Sequence, residues 1–255
     1  MKYTVLTLFP EITDAFFATS IVAKAIQRGI IEYKAINIRD FAVDKHKTCD
    51  DAPYGGGPGM LMLSDPLCRA LEAAGVKQKT AETRENASPR TLYLSPSGKP
   101  FTQPFACELA NEREIVLLCG RYEGIDQRVI DLYIDDEVSV GDYVLSSGEV
   151  AALAVIDATY RLVDKVITPE SLAEESFSGG LLEYPQYTRP EIFATMKVPD
   201  VLLSGHHEQI RRWRLERRVE KTLRVRPDLI RQGKEQGLFD EETNSIIWRY
   251  EHERN

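Results

Sequence analysis

The sequence predicts an α/β protein built on a mostly parallel sheet, and three observations lead to that prediction. Apolar segments typical of strands alternate with segments of helical spacing along residues 1–160. Residues 115–119 are entirely apolar, which is typical of a strand buried on both faces of a parallel sheet. Three predicted strands also end in loops that contain glycine or serine, and open α/β sheets bind ligands at such strand ends.

The first predicted helix rests on the spacing of its apolar residues. Ile12, Phe16, Ala23 and Ile26 recur at roughly helical intervals, so residues 11–28 are expected to form one helix that faces the core. Gly29 then ends it, since glycine is the common residue just beyond a helix.

Local signals also predict the later elements. Ser146 and Glu149 form a Ser-x-x-Glu pattern, which predicts a capping box at the start of a helix. The strand predicted over residues 137–145, which precedes this helix, is expected to be interrupted at Gly141. The predicted order is strand 3–9, helix 11–28, strand 30–38, helix 64–74, surface loop 76–90, strand 91–94, helix 102–111, strand 115–119, strand 137–145 and helix 146–160.

Composition predicts a soluble protein of two parts. The chain has 255 residues, a net charge of −8 and 43% hydrophobic residues, which is ordinary for a globular protein. No apolar run approaches the roughly 18 residues of a membrane span, and the N-terminus resembles a strand more than a signal peptide, so we expect a cytoplasmic protein. Residues 161–178 are polar without a period and are predicted to link a domain of residues 1–160 to a helical domain of residues 179–255.

The sequence predicts neither a metal site nor a disulfide framework. No pair of its four cysteines has CxxC spacing, and His206-His207-Glu208 lacks the HExxH pattern. Cys119 ends an apolar run and is expected to be a buried hydrophobic residue.

A basic segment stands out in this acidic protein. Residues 205–232 contain eight Arg and one Lys against three Glu and one Asp. Arg211, Arg214, Arg218 and Lys221 share one face of a predicted helix, and guanidinium groups bind phosphates bidentately. Two interpretations stay open, an RNA-binding face or a solvated helix face paired with neighbouring glutamates.

The glycine-containing strand ends predict a cofactor pocket, with ordinary turns as the alternative. No GxGxxG joins a strand to a helix, because residues 55–59 follow a polar loop, and GxxxxGK[ST] is absent. A Rossmann-type dehydrogenase or methyltransferase is therefore disfavoured, and a P-loop is excluded.

Several motifs together closely resemble the bacterial tRNA (guanine-N1)-methyltransferase family, often called TrmD, within the SPOUT superfamily. They span almost the whole chain in family order, which makes the combination far more specific than any single motif. The matching stretches are Leu8-Phe9-Pro10-Glu11, residues 50–60, Tyr93-Leu94-Ser95-Pro96, residues 119–126, residues 141–146, Tyr187-Thr188-Arg189-Pro190, Leu203-Ser204-Gly205 and Arg211-Arg212-Trp213-Arg214.

The resemblance implies features that pattern alone does not predict, because knotted backbones are nearly absent from proteins. It implies a SPOUT sheet with a trefoil knot near the carboxyl end of residues 1–160, followed by a small all-helical tRNA-binding domain. It also implies an obligate homodimer that binds S-adenosylmethionine and tRNA, with no membrane or DNA partner and an active site between subunits. By position, the cofactor-binding residues are Leu94, Ser95, Pro96, Gly120, Arg121, Tyr122, Glu123, Ser139, Val140, Gly141, Asp142, Tyr143, Val144, Leu145 and Gly148.

The resemblance also assigns two catalytic residues. Arg161 falls on the family's catalytic arginine, which would stabilise charge on guanine O6, and Glu175 falls on its general base. The family pattern has Asp where this chain has Glu175, and the Pro-Gly expected after Arg161 is replaced by Leu162-Val163. Ser147 also replaces a family glycine, which a serine can do if its φ is negative.

Glu175 leaves rival functions open. The implied activity is methylation of N1 of guanosine 37, beside the anticodon of tRNA. If Glu175 is only a solvated linker acid, the chain is a non-catalytic tRNA-binding SPOUT dimer, although its nearly complete cofactor pocket argues against this. A third possibility is a SPOUT methyltransferase that modifies another RNA site.

Overall fold

One parallel sheet organises the first part of the chain. The computed structural model describes residues 1–79, 88–168 and 174–252. In chain order its elements up to residue 168 are β1 (Lys2–Thr7), α1 (Pro10–Phe17), α2 (Ser20–Gln27), β2 (Glu32–Asn37), β3 (Asp50–Asp51), β4 (Leu61–Met62), α3 (Ser64–Ala73), β5 (Arg90–Pro100), α4 (Gln103–Leu109), β6 (Glu114–Cys119), α5 (Gln127–Tyr133), β7 (Asp136–Ser139) and α6 (Gly148–Tyr160).

The sheet has the order β2-β1-β6-β5-β7, and every neighbouring pair in it is parallel. The short strands β3 and β4 form a separate antiparallel pair. The predicted α/β class with a parallel sheet is therefore confirmed. Since all five strands run the same way, their carboxyl ends lie at one edge of the sheet.

Hydrophobic cores cover both faces of this sheet, which explains why residues 115–119 are all apolar. Leu117 and Cys119 belong to one core with α1, α2, α4 and α6, whereas Val116 and Leu118 belong to another with α3 and α5. Successive side chains of a strand point to opposite faces, so each residue of a strand covered on both sides is buried. Cys119 is fully buried, as expected.

The predicted helix over residues 11–28 is wrong in one respect, because the structure divides it into α1 and α2. Thr19 has an extended backbone (φ −125°, ψ 158°) between them, and its hydroxyl donates to the carbonyl of Phe16 at 3.0 Å. Such a side-chain bond competes with helical bonding. The buried residues are Thr13, Phe17, Val22 and Ala25, while Ile12 is exposed.

The predicted capping box is also wrong. The N-cap of α6 is Ser147, whose side chain caps no backbone N–H, and the helix begins at Gly148. Glu149 is fully buried and accepts a hydrogen bond from the hydroxyl of Thr7. The local Ser-x-x-Glu pattern is overridden because the end of β1 supplies a partner for this carboxylate.

Strand limits differ from the predictions at the strand ends. The strand β5 continues to Pro100 with an irregularity between Leu94 and Lys99, and β7 ends at Ser139 before Gly141 is reached. Part of the predicted surface loop over residues 76–90 lies outside the described residues, which omit 80–87.

The chain divides into two compact units, Met1–Ile167 and Thr168–Asn255. The second has its own core, which includes Leu181, Val219, Ile230 and Ile247. Its elements are a 3-10 turn (Ser178–Gly180), β8 (Ile192–Phe193), β9 (Met196–Lys197), α7 (Asp200–Leu203), α8 (His207–Val225), α9 (Pro227–Glu235) and α10 (Glu241–His252).

The antiparallel pair of β8 and β9 means that this unit is not all-helical. Each strand has only two residues, too few to produce the alternation that predicts a strand. Among the described residues, every helix is too short or too polar to cross a bilayer.

Candidate functional site

Three segments of the first unit surround a cavity of about 320 Å³, which is within the usual range for small-molecule sites. One is the irregular stretch of β5 between Leu94 and Lys99, and the other two are the loops that follow β6 and β7 at the carboxyl edge of the sheet. The lining residues are Tyr93, Leu94, Ser95, Pro96, Ser97, Gly120, Arg121, Tyr122, Glu123, Gly124, Val138, Ser139, Val140, Gly141, Tyr143, Val144, Leu145, Ser146, Ser147, Gly148 and Ala151.

Gly148 explains how the last loop reaches the cavity. Its N–H donates to the carbonyl of Gly120 at 2.9 Å, so α6 begins directly against the end of β6. A Cβ at this position would lie 2.6 Å from the backbone nitrogen of Gly120, and only glycine permits this approach. The preceding Ser147 has an extended φ of −161°, so it meets the condition for replacing the family glycine.

The structure brings together all but one of the residues assigned to the cofactor. Asp142 is exposed and does not line the cavity. Sequence analysis missed several lining residues, of which Tyr93, Ser97, Ser146 and Ser147 lie beside assigned residues in the same motifs. Val138 and Ala151 carry no polar group, and only their place on β7 and α6 brings them to the site.

Among the lining residues that the structure describes, Arg121 is the only one with a guanidinium group and Glu123 the only one with a carboxyl group. Burial raises the pKa of the Tyr93 hydroxyl to about 12, with a further contribution from Glu137. Burial, and then the neighbouring Asp50, likewise raises the pKa of Tyr122. Both phenols therefore stay neutral, and the cavity combines apolar walls, backbone groups and two opposite charges.

The two residues assigned to catalysis belong to different units. Arg161 is the C-cap of α6 in the first unit and is partly buried. Glu175 belongs to the second unit, where it is partly buried and its carbonyl accepts from the N–H of Ser178 at 3.1 Å. Within the first unit, Arg161 does not line the cavity.

The basic stripe lies on α8, but its arginines have different surroundings. Arg211 is paired with Glu208 and Glu242 on the surface. The side chain of Arg218 donates to the carbonyls of Leu182 at 3.2 Å and Ser178 at 2.7 Å, and burial lowers its pKa.

Arg214 lies 4.8 Å from the centre of the Tyr184 ring and 3.3 Å from a carboxylate oxygen of Glu174. With Arg211 and Arg218 it lines a second cavity of about 290 Å³ within this unit. Lys221 is partly buried and forms no ion pair within the described residues. The stripe therefore combines surface charge with groups that hold the unit together.

Fold and site together define a class of protein. It is an α/β protein with a cavity at the carboxyl edge of a parallel sheet, lined by glycine- and serine-containing segments that carry neither a dinucleotide-binding nor a P-loop signature. Within the described residues, no group of three or more His, Cys, Asp or Glu side chains is arranged to hold a metal ion.

Comparison with known proteins identifies the family within this class. The model of the tRNA (guanine-1)-methyltransferase family TrmD matches residues 1–232. The chain is 57% identical over 253 residues to a tRNA (guanine-N(1)-)-methyltransferase of Treponema denticola, covering 99% of this chain and 100% of the relative. Relatives with the same name occur in Treponema pallidum (55% identical, 99% of this chain and 97% of the relative) and Borrelia duttonii (58%, 90% and 92%). The chain belongs to the TrmD family, and the resemblance inferred from the motifs is confirmed.

Proposed function

We propose that this protein is an S-adenosylmethionine-dependent methyltransferase that modifies N1 of guanosine 37 in tRNA, beside the anticodon. The observation that carries the proposal is the cavity formed by the irregular stretch of β5 and the loops after β6 and β7, which carry motifs that resemble those of the family. A binding protein without catalysis has no need of such a cavity.

The residues present fit S-adenosylmethionine. Leu94, Pro96, Val140 and Leu145 supply apolar walls for a flat adenine, while glycines let backbone groups approach its polar edge. The proposed binding set is the one assigned from the family without Asp142, which is exposed and does not line the cavity. When bound, the cofactor would supply an activated methyl group.

Residues of the chain must remove a proton from guanine N1 and stabilise the negative charge that develops on the base. N1 of neutral guanine carries a proton, so a base has to accept it as the new bond to carbon forms. We assign this role to the carboxylate of Glu175. Negative charge then develops toward O6, where the guanidinium of Arg161 would stabilise it. A target in the single-stranded anticodon loop is reached without opening a duplex.

The remaining assignments complete the proposal. Residues 1–160 would form the cofactor-binding domain, residues 161–178 a linker and residues 179–255 the tRNA-binding domain, whose basic stripe would contact phosphates. A trefoil knot is supported by the path of the chain, since β7 pairs with β5 while the following helix α6 begins against β6. We also propose a homodimer that acts in the cytoplasm, where tRNA is modified.

Labelled methyl transfer tests the function. The full chain is incubated with methyl-labelled S-adenosylmethionine and tRNA transcripts that carry guanosine or adenosine at position 37, and the labelled nucleoside is then identified. We expect N1-methylguanosine from the guanosine transcript alone. Label at another position would identify a different RNA-modifying enzyme, and tRNA binding without transfer would identify a non-catalytic binding protein.

A further inference from the structure

A buried acid lies directly behind the cavity. Glu149 is the second residue of α6 and its side chain is fully buried. One carboxylate oxygen accepts from the hydroxyl of Thr7, and that hydroxyl oxygen in turn accepts from the N–H of Phe9 at 2.9 Å. The end of β1 therefore fixes the orientation of Glu149.

The second oxygen of Glu149 faces Arg121. Its Oε2 lies 3.4 Å from Nε of Arg121, and neither of these two buried atoms has a hydrogen-bond partner among the residues that the structure describes. The guanidinium of Arg121 lies 4.4 Å from the centre of the Phe9 ring. Phe9 comes from the Leu-Phe-Pro-Glu motif, for which the proposed function gives no role.

The pair is more than an ordinary structural ion pair. A stabilising buried pair normally satisfies both partners with hydrogen bonds, and buried polar atoms without partners are uncommon in native proteins. Here the guanidinium also lines the cavity, while the carboxylate stays beneath it and does not line it. Because arginine is always charged, Glu149 is the counter-charge of a cation at the cavity wall.

We propose that Glu149 is a positioning residue that neutralises Arg121 so that the cavity can accept a ligand carrying positive charge at sulfur. The inference rests on the proposed function, because S-adenosylmethionine contains a sulfonium next to its transferable methyl group. Without Glu149, the charge of Arg121 would repel that sulfonium through a medium of low dielectric constant. Thr7 and Phe9 hold the two charged groups in place.

Two ligands that differ in charge test this role. S-adenosylhomocysteine lacks the methyl group and the sulfonium charge but is otherwise the same molecule. Dissociation constants of both are measured by titration calorimetry on the full chain. In Glu149→Gln, which keeps the size of the side chain and its bond to Thr7, we expect S-adenosylmethionine to lose affinity at least about fivefold more than S-adenosylhomocysteine.

A second variant should change the ratio of the two affinities in the opposite direction, and it keeps the test valid if the first variant does not fold. Arg121→Met leaves the acid without its cation, so the affinity ratio should shift in favour of S-adenosylmethionine. The double variant Glu149→Gln/Arg121→Met removes both charges and should restore the ratio of the unaltered chain within about twofold. A loss of folding alone would weaken both ligands equally.

Glu32→Gln is the matched control, since it removes the same charge from an exposed residue at the opposite end of the sheet. In this variant the ratio of the dissociation constants of S-adenosylmethionine and S-adenosylhomocysteine should not change. An unchanged ratio in both Glu149→Gln and Arg121→Met would overturn the role of Glu149 while leaving the proposed function intact. If the unaltered chain bound neither molecule, the proposed function would fail, and this inference with it.

Discussion

At the scale of single residues, the surroundings of a side chain decide its role more than its spacing does. Arg211, Arg214 and Arg218 share one face of α8, so their spacing predicts the same role for all three. In the structure only Arg211 has the exposed position expected of a phosphate-binding group, whereas Arg218 is held by two backbone carbonyls. The arginines differ because residues 178–182, which precede α8 by about 25 positions, cover the part of the stripe that contains Arg218.

Substitution of Arg218 should therefore affect stability, whereas substitution of Arg211 should affect tRNA binding. We expect Arg218→Met to lower the free energy of unfolding by about 1–3 kcal/mol, because it removes two side-chain hydrogen bonds to backbone carbonyls. Arg211→Met should change stability little but reduce the salt dependence of tRNA binding by about one unit of slope. Urea unfolding and binding at several salt concentrations measure the two effects. Equal behaviour of both variants in both measurements would contradict this division.

The proposed role of Glu175 as the general base has a direct test. Glu175→Gln keeps the size of the side chain but cannot accept the proton of guanine N1. Single-turnover methylation should then fall by about 10²–10⁴-fold while cofactor and tRNA still bind. Glu175→Asp restores the residue that the family carries at this position and tests whether reach matters, because its carboxylate is one methylene shorter.

The neighbouring Glu174 is a poor control, because it accepts from the hydroxyl of Tyr184 at 2.8 Å and pairs with Arg214. Glu183→Gln is better, since Glu183 has no ion pair within the described part of the chain, and it should be nearly silent. If Glu174→Gln abolished transfer and Glu175→Gln spared it, the base would lie one residue earlier than the family pattern indicates.

At the scale of elements, β5 and β7 are joined by charge as well as by backbone bonds. Asp136 begins β7, and its carboxylate accepts from Arg90 and Lys99 of β5, each at 2.6 Å. Burial alone would raise the pKa of Asp136, but these two cations lower it below the ordinary value. The folded chain therefore holds fewer protons here than the unfolded chain as the pH falls toward that range.

Because folding lowers the pKa of Asp136, its ion pairs should contribute a part of the stability that is lost in acid. The stabilisation should be complete above about pH 5, beyond the unfolded value near 3.9, and should disappear as pH falls through the folded pKa. Asp136→Asn should lower stability at pH 7 by about 1–3 kcal/mol, and the difference from the unaltered chain should shrink on acidification. Urea unfolding from pH 7 to 3.5 measures this, with the exposed Asp131→Asn as control. A difference that stayed constant would refute the role of the ion pairs.

The elements also show how far the sequence could predict this molecule. The apolar run of β6 and the glycine-containing strand ends predicted the parallel sheet and the edge at which its cavity lies. The break at Thr19 and the burial of Glu149 could not be predicted in the same way. At Thr19 the helical spacing of apolar residues continues through the break and gives no sign of it, and the partner of Glu149 is Thr7, 142 positions away in the chain.

At the scale of the whole molecule, the proposed homodimer needs a surface. Helix α1 contacts both α2 and α6 on one face of the sheet, and the three helices expose Ile12, Ile21 and Val150. Apolar side chains exposed on neighbouring elements are typical of an interaction surface. We therefore propose this face of the first unit as the interface of the dimer.

Sedimentation equilibrium at micromolar concentration should give about twice the chain mass of 28.9 kDa. Ile21→Glu should shift the protein toward monomer, because it would bury a charge in the interface. Val43→Glu introduces the same charge at an exposed valine outside these helices and should leave the mass unchanged. A monomeric unaltered chain would contradict the dimer, and a dimeric Ile21→Glu would place the interface elsewhere.

The contact between Gly148 and Gly120 has a thermodynamic consequence. The cavity walls come from segments around residues 94, 120 and 148, so the cavity exists only when β5, β6 and α6 are assembled. An occupant would bind the folded chain and not the unfolded one, and by mass action a concentration of 100 times Kd would stabilise the first unit by about 2.7 kcal/mol. Release of α6 from the sheet would first require loss of the occupant. Amide hydrogens of α6 should therefore exchange more slowly with deuterium when the cavity is filled, while those of the second unit keep their rates.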